Sequence, residues 1–167
     1  MDKLWSPWRS KYIESFKPGV LKDGECLFCK VQKASADKDN YIVYRSNHSF
    51  IIMNLYPYNS GHLMIVPYQH TSELSSLNRD ETLDCMNMVN LGCKILNDSV
   101  FPHGFNIGVN IGRISGAGID EHVHFHIVPR WSGDTNFMPV INDVKLVSEG
   151  MDDTYKKLLK ALEKNNL

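Results

Sequence analysis

His122-Val123-His124-Phe125-His126-Ile127-Val128 alternates imidazole and apolar side chains without a break. Successive side chains on a strand point to opposite faces, so this pattern predicts a β-strand over His122–Val128. Its three imidazoles then line one face at about 7 Å intervals. Val123, Phe125 and Ile127 turn the other way, into apolar packing. A polar strand face that merely happens to use His is a fair reading of one histidine. Three in strict alternation call for chemistry.

Working outward, the strand is preceded by the loop Gly112–Glu121, which carries three glycines, and before it by a second β-rich run, Phe105–Ile111. Tyr41–Tyr44, Ser49–Met53 and His62–Val66 are three more short runs, separated by turn residues such as Asn59-Ser60-Gly61. They read as an antiparallel meander. Between the two groups, Asn78 followed by Glu81 makes a capping-box start. Leu83, Met86, Val89, Cys93 and Leu96 then form the apolar stripe of an amphipathic helix. A last helix at about Asp152–Lys164 places Tyr155, Leu158, Leu159 and Leu162 on one side. Helices grouped rather than alternating with strands indicate an α+β fold, a five-stranded antiparallel sheet with a long amphipathic helix and a C-terminal helix.

The 167 residues suit a single domain over 1–167, with residues 1–24 as an aromatic N-terminal arm (Leu4, Trp5, Trp8, Tyr12, Phe16) and 151–167 as the C-terminal helix. Lys and Arg total 18 against 19 Asp and Glu. That balance lacks the electrostatic footprint of a general nucleic-acid binder. No run approaches the roughly 18 apolar residues of a membrane span, and Met1–Ser10 has no signal-peptide core, so a cytoplasmic protein is expected, with neither nucleic acid nor membrane as partner.

Cys26 and Cys29 form Cys-Leu-Phe-Cys, a spacing that presents two thiolates to one metal. A structural zinc usually needs four ligands, and His48, His62, His70, His103 and His122 are the candidates to complete it. Cys85 and Cys93 sit eight apart on the long helix, about 12 Å along its axis, and read as small core residues. The histidine row itself admits two uses. One is a catalytic metal site shared by the three imidazoles. The other is nucleophilic attack on phosphorus by one imidazole. The second needs a free ring nitrogen, an anchored partner nitrogen and nearby N–H groups for phosphate oxygens. Ile114-Ser115-Gly116-Ala117-Gly118-Ile119 suits the last need, since glycines let backbone amides approach an anion.

His-x-His-x-His followed by two apolar residues resembles the signature of the histidine-triad (HIT) nucleotide hydrolases and transferases. The resemblance spans roughly residues 4 to 140, including Leu4-Trp5-Ser6-Pro7-Trp8-Arg9, Asn54-Leu55-Tyr56-Pro57-Tyr58-Asn59-Ser60-Gly61-His62-Leu63 and Pro129-Arg130-Trp131-Ser132-Gly133-Asp134-Thr135-Asn136-Phe137. These extra blocks are similar to the bacterial diadenosine tetraphosphate phosphorylase or hydrolase branch. The resemblance implies His124 as the nucleophile forming a nucleotidyl-histidine, and His126 as the group that helps the leaving group depart. It implies Asn54 at the ribose hydroxyls and Asn110 at phosphate oxygens. Gly116, Ala117 and Gly118 would act through backbone N–H groups, because Gly118 stands where many relatives carry a side-chain donor. Turn or strand-end hydrogen bonding is the plainer role for both asparagines.

The resemblance also implies a structural zinc on Cys26, Cys29, His70 and His122, with no organic cofactor. The expected partner is a small nucleotide, dinucleoside polyphosphates such as diadenosine tetraphosphate foremost, cleaved by phosphorolysis or hydrolysis. A homodimer with sheets joined edge to edge is expected as well, with a higher oligomer such as a tetramer, supported by the aromatic arm, as the alternative. A zinc hydrolase built on the triad and a non-catalytic nucleotide-binding protein remain the alternatives.

Overall fold

The computed structural model describes residues 25–134 and 149–165. The expected arm at 1–24 lies outside the described residues, as do Thr135, Asn136 and Phe137 of the third motif block. Element order is α1 (Leu27–Lys33), β1 (Ile42–Arg45), β2 (Ser49–Met53), β3 (Leu63–Pro67), α2 (Arg79–Val100), β4 (Gly104–Val109), β5 (Phe125–Arg130) and α3 (Met151–Lys164). The strands form an antiparallel sheet ordered β1-β2-β3-β5-β4, so the fold is α+β as expected.

Alternating side chains give the sheet two apolar faces. Ile51, Met53, Leu63, Ile65 and Ile127 point to one, where α2 contributes Cys85, Met88, Val89, Ile95 and Leu96, and α3 adds Tyr155 and Leu158. The interleaved Phe50, Ile52, Met64 and Val66 point to the other, under Cys26, Phe28 and Val31. No sequence signal announces α1, a two-turn helix that follows directly on Cys26.

Asn78 caps α2 as read, its side chain accepting from the N–H groups of Asp80 and Glu81, with Glu81 bonding back to the Asn78 N–H. Such a cap is worth about 1 kcal/mol. The expected stripe needs correction: Leu83 and Met86 are 57% and 44% exposed, and the buried face is Cys85, Met88, Val89, Gly92, Ile95 and Leu96. The centre of that face is Gly92, which adds nothing to a hydrophobic pattern. A Cβ there would stand 2.7 Å from Ile127 Cδ1, so helix and sheet meet at closest approach below the histidine row. Cys85, fully buried between Leu83 and Met86 in the sequence, shows the reason for the correction: at about 100° per residue those two are turned about 160° and 100° away from it, off the face that meets the sheet.

The strand expected over His122–Val128 is observed at Phe125–Arg130. Its pairing ends at Ile65↔Phe125 on one side and Val109↔Phe125 on the other. Before that point the chain leaves the ladder, and Val123 N–H donates to Thr71 O instead. Likewise β4 ends at Val109, so Asn110 and Ile111 fall beyond the strand expected for them. Among the described residues no helix is long and apolar enough to cross a membrane.

Candidate functional site

Residues 122–126 carry three buried imidazoles whose protons can be placed from their anchors. His122 Nε2 lies 2.9 Å from Pro67 O. A carbonyl only accepts, so Nε2 carries the hydrogen and Nδ1 keeps its lone pair. His124 Nδ1 lies 2.8 Å from His122 O, so here Nδ1 is the donor and Nε2 is free. His124 thus holds an unprotonated nitrogen for an electrophile, with its ring braced by Phe28 at 5.0 Å between centroids.

His126 is set by a residue outside the triad. Tyr58 N–H donates to His62 Nδ1 at 3.0 Å, and Asn54 Nδ2 lies 3.3 Å from the same nitrogen. His62 Nδ1 is therefore an acceptor, and the neutral ring carries its hydrogen on Nε2, 2.9 Å from His126 Nδ1. His126 must then bear its own hydrogen on Nε2, a buried atom with no hydrogen-bond partner among the described residues. The result is a lone pair on His124 beside an N–H on His126, with ring centroids 4.7 Å apart.

Burial holds both rings neutral. It lowers the His124 pKa, with the His122 carbonyl working against it, and lowers His126 to about 4, helped by the neighbouring His124. Burial likewise lowers His122.

The His122 lone pair faces a second cluster. Its Nδ1 is 3.4 Å from Cys26 Sγ and 3.7 Å from Cys29 Sγ, and Cys29 Sγ is 3.3 Å from His70 Nδ1. All four ligand atoms lie within 4.8 Å of one another. Tetrahedral zinc with Zn–S near 2.3 Å and Zn–N near 2.0–2.1 Å sets its ligand atoms about 3.4–3.8 Å apart, so the donor set fits a metal ion. Burial first, and the neighbouring Cys29 side chain after it, push the Cys26 thiol up to about 11, although the Cys29 and Phe28 N–H groups oppose it. A divalent cation is what turns such a thiol into a thiolate. His124 and His126 are not part of this group. Among the other candidates, His48 is exposed, His103 bonds Ser132, and His62 serves His126.

Asn54 follows β2 and takes the turn role: Oδ1 accepts from Tyr56 N–H at 2.9 Å while Nδ2 points to His62. Asn110 follows β4 directly, one residue beyond the Val109↔Phe125 pair at which the ladder ends. Gly116 and Gly118 are exposed, Ala117 is half-buried, and Gly116 has φ +89°. Ile119 pins the end of this loop against the apolar cluster of Phe28 and Val31. The parts not singled out from sequence are Phe28, Tyr58 and the pairing of His62 with His126. Hairpin register could have found the last: Met53↔Leu63 puts Asn54 opposite His62 and ties His62 to β3, next to the strand bearing His126.

A five-stranded antiparallel sheet bearing a histidine row beside a Cys2His2 group defines a recognisable class. Residues 35–133 match the HIT domain family model. The chain is 35% identical over 162 residues to an AP-4-A phosphorylase of Mycobacterium tuberculosis, covering 95% of this chain and 83% of that one. It is 29% identical over 105 residues to the adenosine 5'-monophosphoramidase of Schizosaccharomyces pombe, covering 63% and 74%. Its fold superposes on a Zn-bound histidine triad family protein from Mycobacterium smegmatis with a TM-score of 0.68 at 21% identity, covering 85% and 96%. The chain belongs to the HIT domain family.

Proposed function

We propose that this protein is a nucleotidyl hydrolase or transferase that cleaves dinucleoside polyphosphates, diadenosine tetraphosphate foremost, at the α-phosphate through a nucleotidyl-His124 intermediate. The observation that carries the reading is the pair of opposite anchors, His124 Nδ1 on the His122 carbonyl and His126 Nδ1 on His62 Nε2, from which a lone pair on His124 and an N–H on His126 follow. The 35%-identical AP-4-A phosphorylase supports the substrate class.

In the first step His124 Nε2 forms the N–P bond and the bridging P–O bond breaks, its electron pair staying on the departing oxygen. That oxygen belongs to a polyphosphate, a stable anion that needs a hydrogen bond rather than a proton. His126 Nε2–H is suited to give one, its pKa of about 4 keeping it neutral. Asn54 would hold the ribose and Asn110 the phosphate oxygens, with the backbone N–H groups of Gly116, Ala117 and Gly118 closing over them. In the second step an acceptor oxygen attacks phosphorus, the N–P bond breaks and His124 recovers its lone pair. Water would have to lose a proton there, and His126, locked as a donor, offers no base for it. Inorganic phosphate arrives already as an anion. Phosphorolysis, giving ATP and ADP from diadenosine tetraphosphate and phosphate, is therefore the preferred course.

Cys26, Cys29, His70 and His122 would hold a structural zinc, which when bound keeps both thiols deprotonated and His122 neutral. His122 then lends its main-chain carbonyl to His124 from a fixed position. The four cysteines are free thiols, which fits a reducing cytoplasm. A homodimer joined through β4 is supported by that strand's place at the sheet edge with Asn106, Ile107 and Gly108 exposed.

The test is acid-quenched mass spectrometry of the protein mixed with diadenosine tetraphosphate, together with product analysis with and without phosphate. An AMP adduct on His124 and phosphate-dependent ADP are expected. An unmodified His124 during turnover, or a turnover that a chelator abolishes without unfolding the chain, overturns the reading in favour of metal-centred hydrolysis. Nucleotide binding with no turnover leaves a binding protein.

A further inference from the structure

The turn from Asn54 to Gly61 joins β2 to β3 and holds two large side chains in solvent, Leu55 at 47% and Tyr58 at 46% exposure. Turn positions ordinarily take small or polar residues. The Tyr58 ring is not adrift. It lies 4.7 Å from the His62 ring at 36° between planes, and 5.7 Å from the His126 ring at 30°. Its main-chain N–H is fixed on His62 Nδ1, and its hydroxyl has no hydrogen bond among the described residues. One part of the ring therefore rests on the imidazole pair and the rest stands open, and the His126 ring 5.7 Å from it carries a buried Nε2 that has no hydrogen-bond partner among the described residues.

We propose that Tyr58 forms a leaving-group subsite, a platform on which the heteroaromatic ring of the departing half of the substrate stacks. The inference rests on the reading of His124 as nucleophile and His126 as donor to the leaving oxygen, and it adds what that leaving group is. A nucleoside polyphosphate, whose base can return to Tyr58 across its flexible phosphate chain, is preferred to a bare polyphosphate. Base stacking on an aromatic side chain is worth enough to alter kcat/KM about tenfold.

The plainer role for Tyr58 is to shelter the His62–His126 hydrogen bond from water, and the experiment separates the two. Diadenosine tetraphosphate and adenosine 5'-tetraphosphate both place AMP on His124, but the first releases ATP and the second bare triphosphate. The readout is the ratio of their kcat/KM values. Tyr58→Ser should lower that ratio about tenfold, and Tyr58→Phe and Tyr58→Trp should restore it. An equal fall for both substrates, which leaves the ratio at its wild-type value, overturns the subsite and leaves the sheltering role. A ratio untouched because neither substrate slows overturns it as well. Absence of any His124 adduct in the unsubstituted protein would instead sink the nucleophile, and that is seen before any variant is made. Circular dichroism and urea unfolding of Tyr58→Ser check that the fold persists.

Discussion

His62 touches no phosphate in the proposed reaction, yet it decides where the His126 proton sits, and two substitutions can divide its work. Asparagine at 62 places an oxygen near the position of Nδ1, where it can accept from Tyr58 N–H, but offers His126 nothing. Glutamine reaches further and can place an amide nitrogen near Nε2, donating to His126 Nδ1 while leaving Tyr58 N–H unpaired. His62 is buried, its Tyr58 bond is 3.0 Å and its His126 bond 2.9 Å, so asparagine orphans a buried nitrogen of His126 and glutamine the part-buried Tyr58 N–H. Each should lose about 1–3 kcal/mol in urea unfolding. Their rates should differ. In His62→Asn the Nε2–H tautomer of His126 loses its support, and about 1–3 kcal/mol now burdens the first chemical step, slowing it about 5- to 150-fold. In His62→Gln the donor is replaced, and the step should stay within about threefold of wild type. The assay is single-turnover formation of the AMP–His124 adduct by rapid acid quench. Asparagine as fast as wild type, or glutamine slower than asparagine, would refute the placement of the proton.

Other consequences follow from burial and packing. Because the folded His126 has a pKa of about 4 against an ordinary 6.5, the unfolded chain binds a proton in that window that the native ring refuses. Stability should therefore fall as pH drops from 6.5 towards 4, by on the order of 3 kcal/mol for this group, and urea unfolding of His126→Asn should show a smaller drop. Metal analysis of the purified protein should find zinc, and Cys29→Ser should lose it and melt at a lower temperature; a metal-free preparation with unaltered melting refutes the site. Gly92→Ala gains about 1 kcal/mol of helix propensity but drives a methyl onto Ile127 Cδ1, at a cost of about 1–3 kcal/mol. Ile127→Val removes that atom, so the double variant should be more stable than the sum of the single losses predicts, and strict additivity in urea would disprove the clash.

Much of the fold was open to reading because period and punctuation agree. Ser49–Met53 is a strand with the bounds its pattern suggests, and the Asn78–Glu81 pair starts its helix at the expected residue. The failures share one physical cause: the pattern reports which residues are apolar, not what stands opposite them. Leu83 and Met86 look like core but lie off the face that buries Cys85 between them, whereas Gly92 looks like nothing and sits where a Cβ would meet Ile127 Cδ1. The α1 helix is too short for a period to show. The four residues that could hold a metal ion come from three separate stretches, and family resemblance rather than spacing groups them. Three-dimensional proximity then supplied an independent reason for the same grouping.

Strict alternation says that His122, His124 and His126 share a face, and it makes them look equivalent. What distinguishes them is the polarity of the atom each ring is tied to. His122 is tied to a carbonyl through Nε2, His124 to a carbonyl through Nδ1, and His126 to an N–H through Nδ1. Three identical side chains therefore present a lone pair at Nδ1, a lone pair at Nε2 and a hydrogen at Nε2. Each of those states would be lost if its anchor were exchanged for one of opposite polarity, with no change to the triad itself. The anchors lie in Pro67, in the His122 main chain and in His62, so β3 and the residues at either end of it supply two of the three. The same strand end leads to His70, which joins the metal group. Two of the three anchors thus come from β3 and the residue that precedes it, and only the His124 anchor is supplied by the main chain of the histidine row itself.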